Sequence, residues 1–269
     1  MIEVIKSPAD LARQKWDVLV PTMGALHAGH KSLIKLARDH GENVIVSIFV
    51  NPLQFEKKSD LESYPKTLSQ DLEIAAEAGA TTVFAPSEED MYPGNIEKIS
   101  AGNLGDLYEG ASRPGHFSGV LTVVKRLFDL VTPEKAVFGE KDFQQLFLIK
   151  KMTKQLSLPT KVLSGPTIRD SQNLALSSRH KLLTEQEKKA AGIIYQALSE
   201  KNIESAKKVI ATEPRFKLDY LETIDEETFE IAKAESKNKR LIVAGWIKLR
   251  AAPQWSCSDE FGDTSRYLH

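Results

Sequence analysis

The chain has 269 residues, with 36 Lys and Arg against 37 Asp and Glu, which gives a formal net charge of -1. This balance excludes the broad positive field that attracts nucleic acid, so an anionic ligand has to be met by local positive groups. The one cysteine, Cys257, excludes a disulfide within the chain and suits the reducing cytosol. No apolar run approaches the ~20 residues that span a bilayer, and Met1–Asp10 lacks the apolar core of a signal peptide. We therefore expect a cytoplasmic protein that binds neither nucleic acid nor membrane.

The first part of the sequence alternates short apolar runs with amphipathic ones. The predicted strands are Asp17–Val20, Asn43–Val50, Thr81–Ala85, Lys135–Phe138 and Thr160–Leu163, and the predicted helices are Gly29–His40, Lys66–Gly79, Gly119–Val131 and Asp142–Leu156. Such alternation builds parallel βαβ units. It indicates an α/β fold, a Rossmann-like doubly wound parallel sheet, over residues 1–169. The stretch Pro86–Pro114 has weak periodicity and is typical of a functional loop.

The order of elements changes after Arg169. The predicted helices here are Thr184–Glu200 and Ile203–Thr212, and the predicted strands are Lys217–Thr223 and Leu241–Leu249. Because they do not alternate strictly, we expect a smaller α+β lid domain over residues 170–250 that closes over the first domain. The tail, residues 251–269, shows no period, and we expect it to be disordered. An altered reading frame or an artificially added segment stays open as its origin.

Two histidines stand three residues apart just after the first predicted strand. A helix N-terminus offers free N–H groups and a positive dipole end, so anions bind there. Gly24 and Gly29 let the backbone approach a phosphate closely, and His27 and His30 add hydrogen-bond donors. The combination predicts a phosphate site at the carboxyl end of a parallel strand. Alternatively, these histidines only cap the turn or pack locally. The sequence contains neither the P-loop motif nor the dinucleotide-binding glycine motif.

Other polar residues gain meaning from their positions. Lys141 follows the strand that ends at Phe138 and suits phosphate as a point charge, although a solvated surface lysine is the alternative. The run Ser177–Arg179 offers two hydroxyls and a guanidinium to a departing pyrophosphate; standing alone, it would be an ordinary loop. Gln54 and Gln145 carry neutral amides that suit a hydroxylated acid, with surface glutamine as the alternative.

The pattern H-x-G-H at residues 27–30 resembles the signature of an adenylylating superfamily that includes nucleotidylyltransferases and class I aminoacyl-tRNA synthetases. The longer run Val20–His30 resembles the pantothenate synthetase family. Further blocks agree with that family in order and spacing, namely Val46–Phe55, Glu109–Gly110 with Arg113–Val120, Phe138–Leu146 and Leu174–Arg179. The resemblance covers about residues 1–250.

The resemblance implies an ATP-dependent ligase that condenses pantoate with β-alanine and forms pantothenate, AMP and pyrophosphate through a pantoyl-adenylate. It implies ATP as co-substrate with Mg²⁺, whose protein ligands stay unknown, and a homodimer. His30, His27 and Lys141 are the implied catalytic residues. The implied ATP-binding residues are Met23, Gly24, Ala25, Leu26, His27, Ala28, Gly29, His30, Gly139, Glu140, Lys141, Asp142, Ile168, Leu176, Ser177, Ser178 and Arg179. The implied pantoate-binding residues are Gln54 and Gln145, and Gln54 is also the implied β-alanine-binding residue. Asn51 and Tyr64 are weaker candidates for contact with the substrates.

The chain departs from the family pattern at a few positions. Phe143 replaces a frequent Tyr, and His180 replaces a usual Asn beside Arg179. Asn173 stands where Gly is usual, and Asn tolerates a positive φ better than most residues. Two rivals remain open: a nucleotidylyltransferase, which would not need the Gln54 and Gln145 blocks, and a non-catalytic nucleotide-binding relative, suggested by His180 and the changed tail.

Overall fold

The computed structural model describes residues 2–178, 183–248 and 264–268. The chain divides into two compact units, Met1–Ile168 and Arg169–His269. The first unit contains a parallel six-stranded sheet with helices, and the second contains a smaller antiparallel sheet with helices. The predicted α/β class with a Rossmann-like sheet is therefore confirmed. Within the described ranges, no helix combines the length and apolar character needed to cross a membrane.

The first unit follows the predicted alternation of strands and helices. Its strands are β1 (Glu3–Ile5), β2 (Val18–Thr22), β3 (Val44–Ile48), β4 (Thr82–Phe84), β5 (Lys135–Gly139) and β6 (Lys161–Gly165). Its helices are α1 (Pro8–Leu11), α2 (Ala28–Arg38), α3 (Lys58–Ser63), α4 (Leu68–Ala78), α5 (Glu88–Met91), α6 (Glu109–Ser112), α7 (His116–Val131) and α8 (Phe143–Gln155). Single turns of 3-10 helix occupy Pro52–Gln54, Asn103–Asp106 and Glu140–Asp142.

The central strands are apolar because both faces of the sheet are covered. In β2, Val18 and Val20 belong to one buried cluster while Leu19 belongs to another. The side chains of a strand point alternately to opposite faces, so the two clusters are the two faces of the sheet. Helix α7 contributes eight buried residues, including Phe117 and Phe128, to the cluster that contains Leu19.

The strand order is β1-β4-β3-β2-β5-β6, and every pair is parallel. From β2 the chain adds β3 and then β4 on one side, whereas β5 and β6 lie on the other side. The order therefore reverses between β2 and β5. Ligands of open α/β sheets bind at this switch point, outside the carboxyl ends of the strands.

Several short elements were not predicted. Strand β1 and helices α1 and α3 have three to six residues, too few to show a full hydrophobic period. The stretch Pro86–Pro114, expected to be irregular, contains α5, the 3-10 turn Asn103–Asp106 and α6. These pieces are four residues long each, so they leave no periodic signal.

The second unit has three helices and three strands among its described residues. They are α9 (Glu185–Ala191), α10 (Ile193–Leu198), α11 (Ile203–Ile210), β7 (Phe216–Asp225), β8 (Lys239–Lys248) and β9 (Thr264–Leu268). The predicted helix Thr184–Glu200 is present but is divided at Gly192. Apolar residues of α9, α10 and α11 form one core with residues of β7 and β8 such as Leu221 and Val243.

The tail differs from expectation in its last residues. Thr264–Leu268 form β9, which pairs antiparallel with β8 from Ala244↔Leu268 to Lys248↔Thr264. The expected disorder is therefore wrong for these five residues. The physical reason is that a two-stranded β7–β8 ladder leaves unpaired N–H and C=O groups along one edge of β8, which another strand can satisfy. The rest of the expected disordered segment lies outside the described residues.

Candidate active site

The turn between β2 and α2 has an unusual backbone conformation. Gly24 and Ala25 have φ values of 82° and 51°, and the second is uncommon for a residue with a Cβ. The N–H of Gly24 donates to Thr22 Oγ1 at 3.2 Å. The carboxylate of the buried Asp71 accepts from the N–H of Ala25 at 2.9 Å and from the N–H of Leu26 at 2.7 Å. Hydrogen bonds to this one carboxylate thus support the turn.

His27 and His30 are bonded to the same backbone that they flank. The Nδ1 atom of His27, the N-cap of α2, accepts from the N–H of Gly29 at 3.1 Å, and Nδ1 of His30 accepts from the N–H of His27 at 3.3 Å. Their ring centroids are 4.1 Å apart. Because each Nδ1 accepts, the neutral form of each ring carries its hydrogen on Nε2. In that form each histidine carries a donor at Nε2.

These bonds change one expectation about the turn. We expected free main-chain N–H groups to bind phosphate here, but those of Gly24, Ala25, Leu26, His27 and Gly29 donate to side chains of the protein. Since a buried donor must be paired, the folded turn satisfies these groups internally. These five N–H groups are therefore engaged within the protein.

His30 is held in its neutral form. Its pKa is lowered from an ordinary value of 6.5 to about 3, mainly by burial and also by the nearby His27 and Lys141, while Asp142 acts in the opposite direction. The direction also follows from the hydrogen bond at Nδ1, since a protonated ring would place an N–H against the N–H of His27. In its neutral form His30 is a hydrogen-bond donor through Nε2.

Lys141 lies on the other side of the switch point. It belongs to the 3-10 turn Glu140–Asp142 that follows β5, and its Nζ atom contacts Asp142 Oδ1 at 3.0 Å. Both side chains keep solvent access, at 24% and 39% of their surface, so this ion pair is weak. Lys141 is also close enough to His30 to lower its pKa. The fold therefore brings together the cation and the histidines predicted from separate blocks.

Asn51 fixes the orientation of Gln54 after β3. The Nδ2 atom of Asn51 donates to Gln54 Oε1 at 3.0 Å and to the carbonyl of Gly119 at 3.1 Å, while its Oδ1 accepts from the Tyr92 hydroxyl at 2.7 Å. Burial, with Glu88 nearby, raises the pKa of Tyr92, so the phenol stays a donor. Gln54 Nε2 then points at the sulfur of Met23 at 3.0 Å. A thioether is a weak acceptor, so this N–H remains suited to a stronger one.

The backbone of Gln54 is held by a second group of side chains. Its carbonyl accepts from His116 Nδ1 at 2.9 Å, and His116 Nε2 lies 3.2 Å from Arg113 Nη1. Since a carbonyl only accepts and a guanidinium only donates, His116 carries its hydrogen on Nδ1. Arg113 also forms an ion pair with the buried Glu109 at 3.2 Å. Gln54 is therefore fixed from both its side chain and its main chain.

The adjacent glutamines of α8 have different surroundings. The Nε2 atom of Gln144 donates to the carbonyls of Leu104 and Leu107, both at 2.9 Å, and its Oε1 accepts from the N–H of Glu109 at 3.2 Å. Gln144 is buried, whereas Gln145 is partly exposed and its amide has no hydrogen bond within the described residues. Gln144 is thus a structural residue, and Gln145 retains its hydrogen-bonding capacity.

The remaining predicted residues fall at the end of the first unit or in the second. Ile168 ends the first unit, and Leu176, Ser177 and Ser178 follow the bridge between Arg169 and Ala175 in the second. Arg179 and His180 lie outside the described residues. Asn173 has a φ of 61°, the left-handed conformation that the usual Gly at this position also permits. Tyr64 is the C-cap of α3 and packs edge-on against Phe55, with ring centroids 5.9 Å apart.

Sequence reasoning missed several residues that support the site. Asp71, Arg113, His116 and Tyr92 all contact it through the bonds described above. Arg113 and His116 stood inside a matched block, so that block was the available signal. Asp71 is an acidic residue in the first turn of an amphipathic helix, a place where such residues are common, and no local pattern marked it.

The fold and these side chains define a nucleotide-binding α/β protein whose site lies at the carboxyl ends of β2, β3 and β5. Among the described residues, no three His, Cys, Asp or Glu side chains form a group that could hold a metal ion. The donors present are imidazole N–H groups, an ammonium and amides, which suit phosphate and a hydroxylated acid.

Comparisons with known proteins identify the particular family. The sequence profile of the family Pantoate-beta-alanine ligase matches residues 2–252. A pantothenate synthetase from Acidothermus cellulolyticus is 47% identical over 230 residues, which cover 80% of this chain and 76% of the relative. The crystal structure of pantothenate synthetase from Thermus thermophilus matches with a TM-score of 0.86 and 38% identity, over 91% of this chain and 95% of that one.

A second solved structure covers more of the chain. It is the pantoate-beta-alanine ligase from Francisella tularensis, complexed with beta-gamma ATP and beta-alanine, with a TM-score of 0.78, 36% identity and coverage of 100% of this chain and 98% of that one. The chain belongs to the pantoate–β-alanine ligase family. It is a ligase of that activity, which produces pantothenate, and the nucleotidylyltransferase alternative is set aside.

Proposed function

We propose that the chain joins pantoate to β-alanine in two steps at the switch point between β2 and β5. A carboxylate oxygen of pantoate first attacks the α-phosphorus of ATP, and pyrophosphate leaves. The β-alanine amine, after losing a proton from its ammonium form, then attacks the carbonyl carbon of the pantoyl-adenylate, and AMP leaves. The observation that carries this proposal is the convergence of His27, His30 and Lys141 at one switch point.

The first step requires stabilisation of negative charge on the phosphates. We assign it to the Nε2–H groups of His27 and His30 and to the ammonium of Lys141. Phosphoryl chemistry depends mainly on such positioning and charge stabilisation. Lys141 exchanges its weak contact with Asp142 for the stronger charge of the triphosphate. His30 acts as a neutral donor, because burial keeps its pKa far below physiological pH.

The acid is recognised on the β3 side of the site. Gln54 presents Nε2 opposite Met23, and Asn51 fixes its orientation. Gln145 supplies a second amide. A polar site of this kind rejects an analogue that lacks the substrate hydroxyl, because its own groups are then left unpaired. Gln54 and Gln145 thus bind pantoate, and Gln54 also helps to place β-alanine.

Other components of the proposal rest on the family and on general chemistry. Mg²⁺ enters with ATP, held by phosphate oxygens and water. Ser177, Ser178 and Arg179 hold the departing pyrophosphate, and residues 170–250 act as a lid. The protein works in the cytoplasm as a homodimer, the commonest oligomer. Light scattering at micromolar concentration tests the dimer, and a species of single-chain mass would contradict it.

The central test is a complete reaction. The protein is incubated with ATP, Mg²⁺, pantoate and β-alanine, and the products are identified by mass spectrometry; pantothenate, AMP and pyrophosphate are expected. Absence of turnover with retained ATP binding would instead support a non-catalytic relative. In a second assay, labelled pyrophosphate should exchange into ATP with pantoate alone. Exchange that requires β-alanine would contradict a separate adenylate step.

Single substitutions test the charge-stabilising residues. His30→Ala and Lys141→Ala should each lower exchange by ~10²-fold or more, the usual effect of removing such a donor. Lys135→Ala is the matched control for the lysine, since Lys135 begins β5, the strand that Lys141 follows, and donates to the carbonyl of His40 at 2.9 Å. Near-normal exchange in either site variant would remove that residue from the mechanism.

A further inference from the structure

We propose that Asp71 is a positioning residue of the ATP site, because it holds the turn between β2 and α2 in the shape that presents His27 and His30. The inference rests on the proposed function, since it concerns the same ATP site. By its charge alone, the Asp71 carboxylate would repel a triphosphate. The inference nevertheless gives this carboxylate a role that favours ATP binding.

The contacts of Asp71 are made inside the protein. Only 1% of its surface is exposed, and it lies in the first turn of α4. Its Oδ2 accepts from the N–H of Ala25 at 2.9 Å and from the hydroxyl of Thr67 at 3.2 Å, while its Oδ1 accepts from the N–H of Leu26 at 2.7 Å. Hydrogen bonds to an ionised acceptor are shorter and stronger than neutral ones. Both carboxylate oxygens are therefore engaged with the turn.

The turn needs such support because its conformation is unfavourable by itself. Ala25 has a φ of 51°, a left-handed conformation in which Cβ crowds the backbone. A Cβ at Gly24 would come within 3.1 Å of Asp71 Oδ2 and 3.0 Å of Ile48 Cγ2, so the carboxylate fits closely against the turn. Without these bonds, the turn would populate other conformations, and each would move His27, the N-cap of α2, which lies two residues after Ala25.

The sign of the effect separates positioning from charge. Asp71→Asn removes a negative charge near the triphosphate, which on electrostatic grounds alone would strengthen ATP binding. It also replaces one acceptor by an NH₂ group that faces a main-chain N–H. If Asp71 positions the turn, the populated fraction of the binding-competent conformation falls, and the apparent affinity for ATP falls with it.

The chain contains a matched control at the opposite end of β2. Asp17 also accepts from two successive main-chain amides, since its Oδ2 lies 2.8 Å from the N–H of Glu42 and 2.8 Å from that of Asn43. It precedes Val18, the first residue of β2, and therefore lies at the amino ends of the parallel strands. Asp17→Asn thus removes a carboxylate of the same structural kind away from the site.

The experiment is calorimetric titration of ATP and, separately, of pantoate into wild type, Asp71→Asn and Asp17→Asn, together with pantoate-dependent pyrophosphate exchange. Asp71→Asn should raise the dissociation constant of ATP by about tenfold, the scale of one lost buried hydrogen-bond acceptor, and should lower the exchange rate at saturating ATP. Its pantoate affinity should stay near the wild-type value. Asp17→Asn should leave both affinities and the exchange rate unchanged.

Unchanged or tighter ATP binding by Asp71→Asn would overturn the inference, as would equal losses of ATP and pantoate. If Asp71→Asn does not fold, Thr67→Val decides the matter, because it removes only the hydroxyl that donates to Oδ2. A smaller, ATP-selective loss in Thr67→Val supports the role, and unaltered ATP binding overturns it. A wild-type protein that neither binds ATP nor catalyses exchange would overturn the proposed function as well. If wild-type exchange is normal, a negative result for the variants contradicts only the role proposed for Asp71.

Discussion

His116 donates a hydrogen bond from Nδ1 to the main-chain carbonyl of Gln54 over 2.9 Å, although 62 positions separate them in the sequence. This bond fixes the turn that carries the amide proposed to bind pantoate. His116→Ala should raise the pantoate concentration needed for half-maximal exchange while the ATP requirement stays near normal, because the Gln54 turn loses its support. His116→Asn retains an N–H donor and should restore much of the loss. Equal defects in both variants, or a defect towards ATP, would contradict this role.

The two adjacent glutamines of α8 provide a matched pair. Gln145→Ala should weaken pantoate binding by about 1–3 kcal/mol, the cost of a lost buried hydrogen-bond partner, without a change in ATP binding or in the free energy of unfolding. Gln144→Ala should lower the free energy of unfolding, since three main-chain groups lose their partner. Calorimetric titration and urea unfolding of both variants measure the two effects. Unchanged pantoate affinity in Gln145→Ala would place this residue outside the acid site.

The lowered pKa of His30 predicts how the protein responds to acid. In the unfolded chain, His30 takes up a proton as pH falls below 6.5, whereas in the folded protein it stays neutral until about 3. The stability that it contributes is therefore present above pH 6.5 and is lost as pH falls towards 3. Relative to wild type, His30→Gln should become more stable as pH is lowered from about 7 to 5. Urea unfolding at several pH values measures the difference, and curves that stay parallel would contradict the lowered pKa.

The same neutral state has a catalytic consequence. An imidazolium acid would lose its proton between about pH 5 and 8, which would give exchange a descending limb. With His30 neutral throughout that range, the pH profile of exchange should have the same shape in wild type and in His30→Gln, at a lower rate in the variant. A descending limb that disappears in His30→Gln would identify His30 as a proton donor.

Substitution of Asn173 by Ala should destabilise the protein more than substitution by Gly. The φ of 61° at Asn173 costs a residue with a Cβ roughly 1–2 kcal/mol, which Asn offsets better than most. Asn173→Ala should therefore lower the free energy of unfolding by about 1 kcal/mol, and Asn173→Gly should change it by less. Urea unfolding measures both. An Ala variant as stable as wild type would show that residue 173 is not held in this conformation.

Removal of β9 tests the end of the chain. A protein that stops before Thr264 exposes the edge of β8, so its free energy of unfolding should fall, while pyrophosphate exchange at moderate temperature should persist because β9 lies beyond the matched blocks. Thermal unfolding and exchange are measured on the same sample. Lost exchange in a folded, truncated protein would show that the tail contributes to activity.

Sequence predicted best those features whose cause lies within a short stretch of chain. His27 and His30 are neighbours on one turn, and Lys141 follows a buried strand, so the parallel sheet alone places them at one edge. The left-handed conformation at Asn173 is compatible with its residue type, since Asn tolerates a positive φ better than most residues. Contacts between residues far apart in the sequence could not be predicted in this way. Asp71 accepts from Ala25 and Leu26, which precede it by 46 and 45 positions, and Asn51 donates to Gly119, which follows it by 68 positions.

Close packing added a second kind of information that sequence could not supply. A Cβ on Gly119 would stand 2.1 Å from the carbonyl oxygen of Leu53, so α7 meets the turn before Gln54 at a distance that excludes any side chain. From the sequence, Gly119 was the predicted start of a helix within the matched block Arg113–Val120. In the structure, the missing side chain of Gly119 allows α7 to pack directly against the turn that carries Gln54.

In the turn between β2 and α2, five main-chain amides are hydrogen-bonded by the protein itself, through Thr22, His27, His30 and Asp71. These five amides therefore need no ligand as a hydrogen-bond partner, and the dihedral angles of Gly24 and Ala25 are set when the chain folds. Fixing a residue in one backbone conformation carries an entropic cost. For this turn, the backbone entropy is lost during folding, so ATP binding does not carry that cost.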